Sequence, residues 1–149
     1  MAEYFIKDGI GLVPEYERDI ADSAFSDLKW LDSEELTGVV IPNSVERIGN
    51  SAFFGCENLT SVELPKELKV IGEYAFAYCT ALTSIVLPES VTLIAEYAFI
   101  DNLLATNVEI KSTKLDLTNN APKKPKQKES FGVFNMRWWY KLYVIIVFS

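Results

Sequence analysis

The chain has 149 residues, 49% of them hydrophobic, which is enough to bury a core and excludes wholesale disorder. Residues 1–110 carry 6 Lys/Arg against 19 Asp/Glu and residues 111–149 carry 8 against 2, and an acidic body does not offer phosphates the positive face that nucleic-acid binding needs. There is no histidine, which removes Ser–His and Cys–His nucleophile pairs, histidine acid–base chemistry and histidine metal ligands.

The opening, Met1-Ala2-Glu3-Tyr4-Phe5-Ile6-Lys7, lacks the basic start and apolar stretch of a secretory signal. It points to a cytoplasmic chain, or to one without its natural N-terminus. Gly9-Ile10-Gly11 matches the start of a dinucleotide-binding fingerprint. The third glycine is missing and no helix is expected to follow, so no nucleotide site is assigned. Pro14 lies six residues before Ile20. Ile20-Ala21-Asp22-Ser23-Ala24-Phe25 then begins a motif that returns as Ile48-Gly49-Asn50-Ser51-Ala52-Phe53. Leu28 and Leu31 stand where Cys56 and Leu59 stand later. The second copy arrives 28 residues on. Its extra residues are placed within 32–36, an acidic stretch expected to bulge as a surface loop.

From there the period is 23 residues. It links Pro42, Pro65 and Pro88; Ile48, Ile71 and Ile94; Ala52, Ala75 and Ala98; and Phe53, Phe76 and Phe99. Cys56 and Cys79 obey it, as do Leu59 and Leu82. So do Val39, Val62, Ile85 and Val108, and likewise Ile41, Leu64, Leu87 and Ile110. In each coil an alternating run such as Ser61-Val62-Glu63-Leu64 predicts a half-buried strand. Pro65 ends it, because proline has no N–H for a ladder. Leu68 and Ile71 begin a second extended run, and Gly72-Glu73-Tyr74-Ala75-Phe76 turns the chain. Gly49 and Gly72 suit a backbone at positive φ, although Ala95 replaces them in the last coil. Small Ala75 allows close approach and Phe76 fills the interior. A single coil cannot bury its own apolar face, so the copies are expected to stack.

The repeat decays after Ile110, with Leu115-Asp116-Leu117 as a last irregular edge strand. Residues 119–130, with Pro122, Lys123, Lys124, Pro125, Lys126 and Lys128, read as an extended basic linker. Residues 131–149 are apolar and aromatic. Their uninterrupted run at 142–148 is far below the ~20 residues of a spanning helix, and Arg137 and Lys141 interrupt any longer one. Three readings compete for this tail. It lies at a membrane interface, where Trp, Tyr and Lys suit headgroups; or it folds back as a strand over the open end of the stack; or it is a non-native end.

The pattern Leu-Thr-Ser-Val-x-Leu-Pro-x-x-Leu-x-x-Ile-Gly-x-x-Ala-Phe-x-x-Cys-x-x-Leu resembles the BspA-like leucine-rich repeat family. The resemblance covers about residues 10–110 and is most specific over residues 39–87. It implies an α/β leucine-rich repeat fold: a short right-handed, strand-rich solenoid with minimal helix, here of about four coils at residues 1–118. Family members are typically microbial surface proteins that bind host or partner proteins through the repeats. The resemblance therefore implies a cell-surface location and a protein partner, such as a host or extracellular-matrix protein.

Candidate functional residues follow from the coil. Outward strand positions line one ribbon, the usual docking surface of a solenoid. They are Val40, Ser61, Glu63, Ser84, Val86, Asn107 and Glu109, with Gly38 starting the row. Val40 and Val86 are apolar side chains expected to face outward, which can seed a contact patch. Cys56 and Cys79 read as one buried repeat position, also held by Leu28 and Asn102, and two sulfurs are too few for a structural zinc site. The acidic residues Glu15, Glu17, Glu34 and Glu35 read as solvated surface. With no nucleophile–base–orienter set, the expectation is a non-catalytic protein-binding module without cofactor or metal. The alternatives are a structural piece of a longer repeat array and a tail-mediated peripheral membrane protein.

Overall fold

The computed structural model describes residues 3–26, 35–102 and 107–112. The expected linker and apolar tail lie outside them, as do Leu28, Leu31 and Leu115-Asp116-Leu117.

The chain opens with an antiparallel hairpin of β1 (Phe5–Lys7) and β2 (Ile10–Leu12). Asp8 and Gly9 make its two-residue turn at φ 53° and 76°. Positive φ at both positions gives a turn whose twist matches the strands it joins. β2 then pairs in parallel with β4 (Gly38–Val40). Gly11 on β2 has a packing role: a Cβ there would lie 2.7 Å from Phe25 Cε1 and 2.9 Å from Leu36 Cδ1. Leu36 was expected in the acidic surface loop, but it is buried in the core. A leucine at that point shields Phe25, whereas its acidic neighbour Glu35 stays exposed.

Next come β3 (Asp19–Ile20), β5 (Arg47–Ile48), β6 (Val70–Ile71) and β8 (Leu93–Ile94), which form a parallel sheet in that order. The register aligns Ile20, Ile48, Ile71 and Ile94, all of them buried. On another arc of the coil, β7 (Ser84–Leu87) pairs in parallel with β9 (Asn107–Ile110). The stretch Ser61-Val62-Glu63-Leu64 keeps the expected alternation, with Val62 and Leu64 buried and Ser61 and Glu63 exposed. It is not paired as a strand. Alternation requires only extended backbone over an apolar interior, whereas a strand also requires neighbours in hydrogen-bonding register. Just before it, the Thr60 N–H donates to Thr37 O at 3.0 Å, and the Thr60 hydroxyl donates to the same oxygen at 3.1 Å.

The turns are laddered as well. The N–H groups of Phe25, Phe53 and Phe76 donate to the carbonyls of Ala52, Ala75 and Ala98 on the next coil, at 2.8, 2.8 and 2.7 Å. Backbone groups engaged between coils are not free for helical bonds within one. No α-helix occurs among the described residues. The expected positive φ at Gly49 and Gly72 is not found. The left-handed residues are instead Ser23, Ser51, Tyr74 and Tyr97, and in a second set Gly55, Tyr78 and Asp101. The two glycines answer to close approach. A Cβ on Gly49 would sit 2.5 Å from Ile20 O, and one on Gly72 would sit 2.6 Å from Asn50 Oδ1.

Phenylalanines run through the core as a stack. Phe25 and Phe53 are 5.0 Å apart, Phe53 and Phe76 are 5.0 Å apart, and Phe76 and Phe99 are 5.5 Å apart, with interplanar angles of 8°, 6° and 0°. Tyr4 packs edge-on against Phe25 at 5.6 Å and 69°.

Candidate functional site

The positions expected to line the ribbon have these exposures where their side chains are described. Val40 is 58% exposed and Val86 is 42% exposed; Ser61, Glu63 and Ser84 are also exposed, and Gly38 is half-buried. On β7 the outward residues are set by their buried neighbours. Ile85 and Leu87 are fixed in the core, so pleating turns Ser84 and Val86 out. The β7–β9 register then sets Asn107 beside Ser84 and Glu109 beside Val86. Val40 extends the row from β4, while Ser61 and Glu63 contribute from the unpaired stretch between.

A second surface was not anticipated from the repeat. Phe54, Tyr78 and Tyr97 are exposed and Tyr74 is half-buried, and together these rings form a cluster on the turn arc. Tyr74 stacks on Tyr97 at 5.1 Å and 20°. Phe54 meets Tyr78 edge-on at 5.3 Å and Tyr74 at 6.4 Å. The turn geometry holds these rings: Tyr74, Tyr78 and Tyr97 all sit at positive φ, between 54° and 59°. For bulky residues that conformation costs about 1–2 kcal/mol each. One coil earlier, Gly55 occupies the position of Tyr78 and adopts it freely. Burial pushes the Tyr74 hydroxyl above its ordinary pKa, and Tyr97, Glu73, Tyr78 and Glu96 raise it further. The available signal was Tyr74 and Tyr97, one period apart beside the interior phenylalanines.

Three ion pairs among the described residues link neighbouring coils. Glu46 bridges two coils, accepting from Arg18 Nη2 at 2.6 Å and from Lys69 Nζ at 2.7 Å. The bonds from Lys69 and then Arg18 hold its carboxyl below the usual range. Such exposed pairs orient side chains more than they stabilise. Among the described residues no group of three or more Cys, Asp or Glu is placed to hold a metal ion.

A family model described as BspA type Leucine rich repeat region (6 copies) matches residues 18–123. The chain belongs to the BspA-type leucine-rich repeat family.

Solved structures agree. A leucine rich cell surface protein from Faecalibacterium prausnitzii aligns at TM-score 0.58 and 26% identity, covering 72% of this chain and 33% of that one. A leucine-rich repeat protein from Bacteroides ovatus aligns at TM-score 0.55 and 34% identity, covering 66% and 24%. One from Bacteroides capillosus aligns at TM-score 0.53 and 25% identity, covering 74% and 94%. The chain thus spans about a third and about a quarter of the first two proteins. No curated protein sequence matches it. Leucine-rich repeats are a general protein-interaction module.

Within the BspA-type array, Cys56 and Cys79 are buried thiols at one repeat position. The Cys79 thiol donates to Phe53 O on the preceding coil at 3.2 Å. Their roles are packing and a weak inter-coil bond. Asn102 takes the same position and is fully buried, with neither side-chain polar atom partnered among the described residues. Of the acids weighed as surface, Glu15 and Glu35 are exposed and Glu17 is half-buried; Glu34 lies outside the described residues.

Proposed function

We propose that the chain is a non-catalytic recognition module whose strand-face ribbon docks a protein partner. The ribbon is one side of a right-handed solenoid of about four coils, spanning residues 1–118. The observation that carries the reading is the outward exposure of Val40 and Val86 beside the polar side chains of Ser61, Glu63 and Ser84. An apolar pair within a polar row is the layout of a docking patch. Asn107 and Glu109 extend it by register. The F. prausnitzii neighbour is a cell surface protein, which supports adhesion to a host or neighbouring-cell protein as the sharper form.

The test is a binding screen of the full chain against immobilised extracellular-matrix proteins, repeated with Val40→Asp and Val86→Asp. Saturable binding that both substitutions abolish while melting stays unchanged supports the ribbon. Binding that neither alters removes it. A second reading, in which these coils are a section of a longer array without a partner of its own, draws on the small share of the first two neighbours that the chain covers. It predicts no saturable binding by the well-folded chain.

A further inference from the structure

We propose that the turn-arc cluster of Phe54, Tyr74, Tyr78 and Tyr97 is a second docking surface, and that its occupant is a lysine- or arginine-bearing peptide segment of a partner protein. The proposal is independent of the ribbon: it uses the turns, not the strand face.

Three observations carry it. First, the rings form one connected group, half-buried at Tyr74 and exposed at the other three, through the Tyr74–Tyr97 stack at 5.1 Å, the Phe54–Tyr78 contact at 5.3 Å and the Phe54–Tyr74 contact at 6.4 Å that joins them. Aromatic faces open to solvent attract cations through their quadrupole. Second, the charge around them has one sign. The turn arcs 49–58, 72–81 and 95–102 contain Glu57, Glu73, Glu96 and Asp101 and no lysine or arginine. Glu73 and Glu96 lie close enough to Tyr74 to act on its hydroxyl. Third, three of the rings stand on left-handed backbone that glycine would adopt without strain. Ser23 and Ser51 adopt the same backbone in earlier coils, so the geometry belongs to the repeat, and it sets Tyr74 and Tyr97 at matching points of successive turns. An acidic aromatic platform favours an ammonium or guanidinium group over a carboxylate or phosphate, and a peptide carrying several can follow the cluster from coil to coil.

The experiment measures binding of a short labelled peptide of alternating lysine and serine to the full chain by fluorescence anisotropy. A peptide with glutamate in place of lysine and a neutral oligosaccharide serve as comparisons. The lysine peptide should bind and the other two should not. Joint Tyr78→Leu and Tyr97→Leu substitution leaves the charge unchanged and should weaken binding about tenfold. Joint Glu73→Gln and Glu96→Gln substitution should weaken it similarly, whereas Glu63→Gln on the strand face should leave it as it was. Should the double leucine variant fail to fold, Phe54→Leu reads the same surface. Lysine-peptide binding that falls with salt but is indifferent to every ring substitution would overturn the proposal, because it would reflect the net charge alone. Binding of the oligosaccharide in place of the peptide would overturn it too.

Discussion

The Tyr4 hydroxyl accepts the Ala21 N–H at 2.9 Å, filling a place that a carbonyl fills on the three later described coils. Gly49, Gly72 and Ala95, at the equivalent position, donate to Ile20 O, Ile48 O and Ile71 O at 2.9, 2.8 and 2.9 Å. At the first described coil a side chain supplies the acceptor instead. The same hydroxyl donates to Asp19 O at 3.2 Å, and the ring covers Phe25. Tyr4→Phe keeps the ring and removes both bonds. It should cost about 0.5–1.5 kcal/mol in urea unfolding. Burial raises the pKa of this hydroxyl, outweighing the Ala21 bond that lowers it. The neutral form is therefore favoured in the fold. The associated stability is present below the unfolded value of about 10 and is lost as pH rises through the folded one. Tyr4→Phe should lose that alkaline dependence, and an unchanged alkaline limb would contradict the assignment.

Phe76 lies in the middle of the ring stack and is fully buried. Phe76→Ala should destabilise by about 3–5 kcal/mol. Exposed Glu63→Gln should change stability by less than about 0.5 kcal/mol. Equal midpoints for the two variants in denaturant titration would refute the stack as the source of stability.

Gly72→Ala would put a methyl group 2.6 Å from Asn50 Oδ1 and 2.7 Å from Asn50 N. Two coils must then separate locally, at a cost of about 1–3 kcal/mol. A helix-like gain from replacing glycine by alanine would show that the approach is looser than described, and differential scanning calorimetry distinguishes the two.

The Glu46 carboxyl is held low by Lys69 and Arg18. Its contribution is present above the unfolded value of about 4.3 and is lost as pH falls through the lower folded one. Glu46→Gln should therefore be less stable than the parent at neutral pH and converge with it in acid. Added salt should shrink the neutral-pH gap, because all three side chains reach solvent. A gap that persists unchanged in acid would point to packing rather than charge.

How far the molecule can be read from its residues depends on whether a feature recurs. Ile48, Ile71 and Ile94 meet the same interior in each coil, so the period exposes the core, and the pleat then turns Val40 and Val86 outward. One-off features leave no period. The Asp8-Gly9 turn carries a strong local hairpin signal, yet it lies before the repeat and overlaps the Gly9-Ile10-Gly11 motif. Positive φ was assigned to Gly49 and Gly72 on residue type, whereas Tyr74 and Tyr97 adopt it. A ladder of inter-coil bonds can impose left-handed backbone on a tyrosine, and a bare glycine can be needed for space alone. The surface rings were missed because phenylalanine at the neighbouring interior position already explained the aromatic period.

Phe25 and Phe53 stand 28 residues apart, yet their rings are 5.0 Å apart, the same as Phe53 and Phe76 at 23. Stacking rise is thus decoupled from contour length at this step, which works as an expansion joint. Five extra residues at that step leave the rings at the spacing they keep at the next one, so the stack accommodates a change of repeat length without a change of pitch.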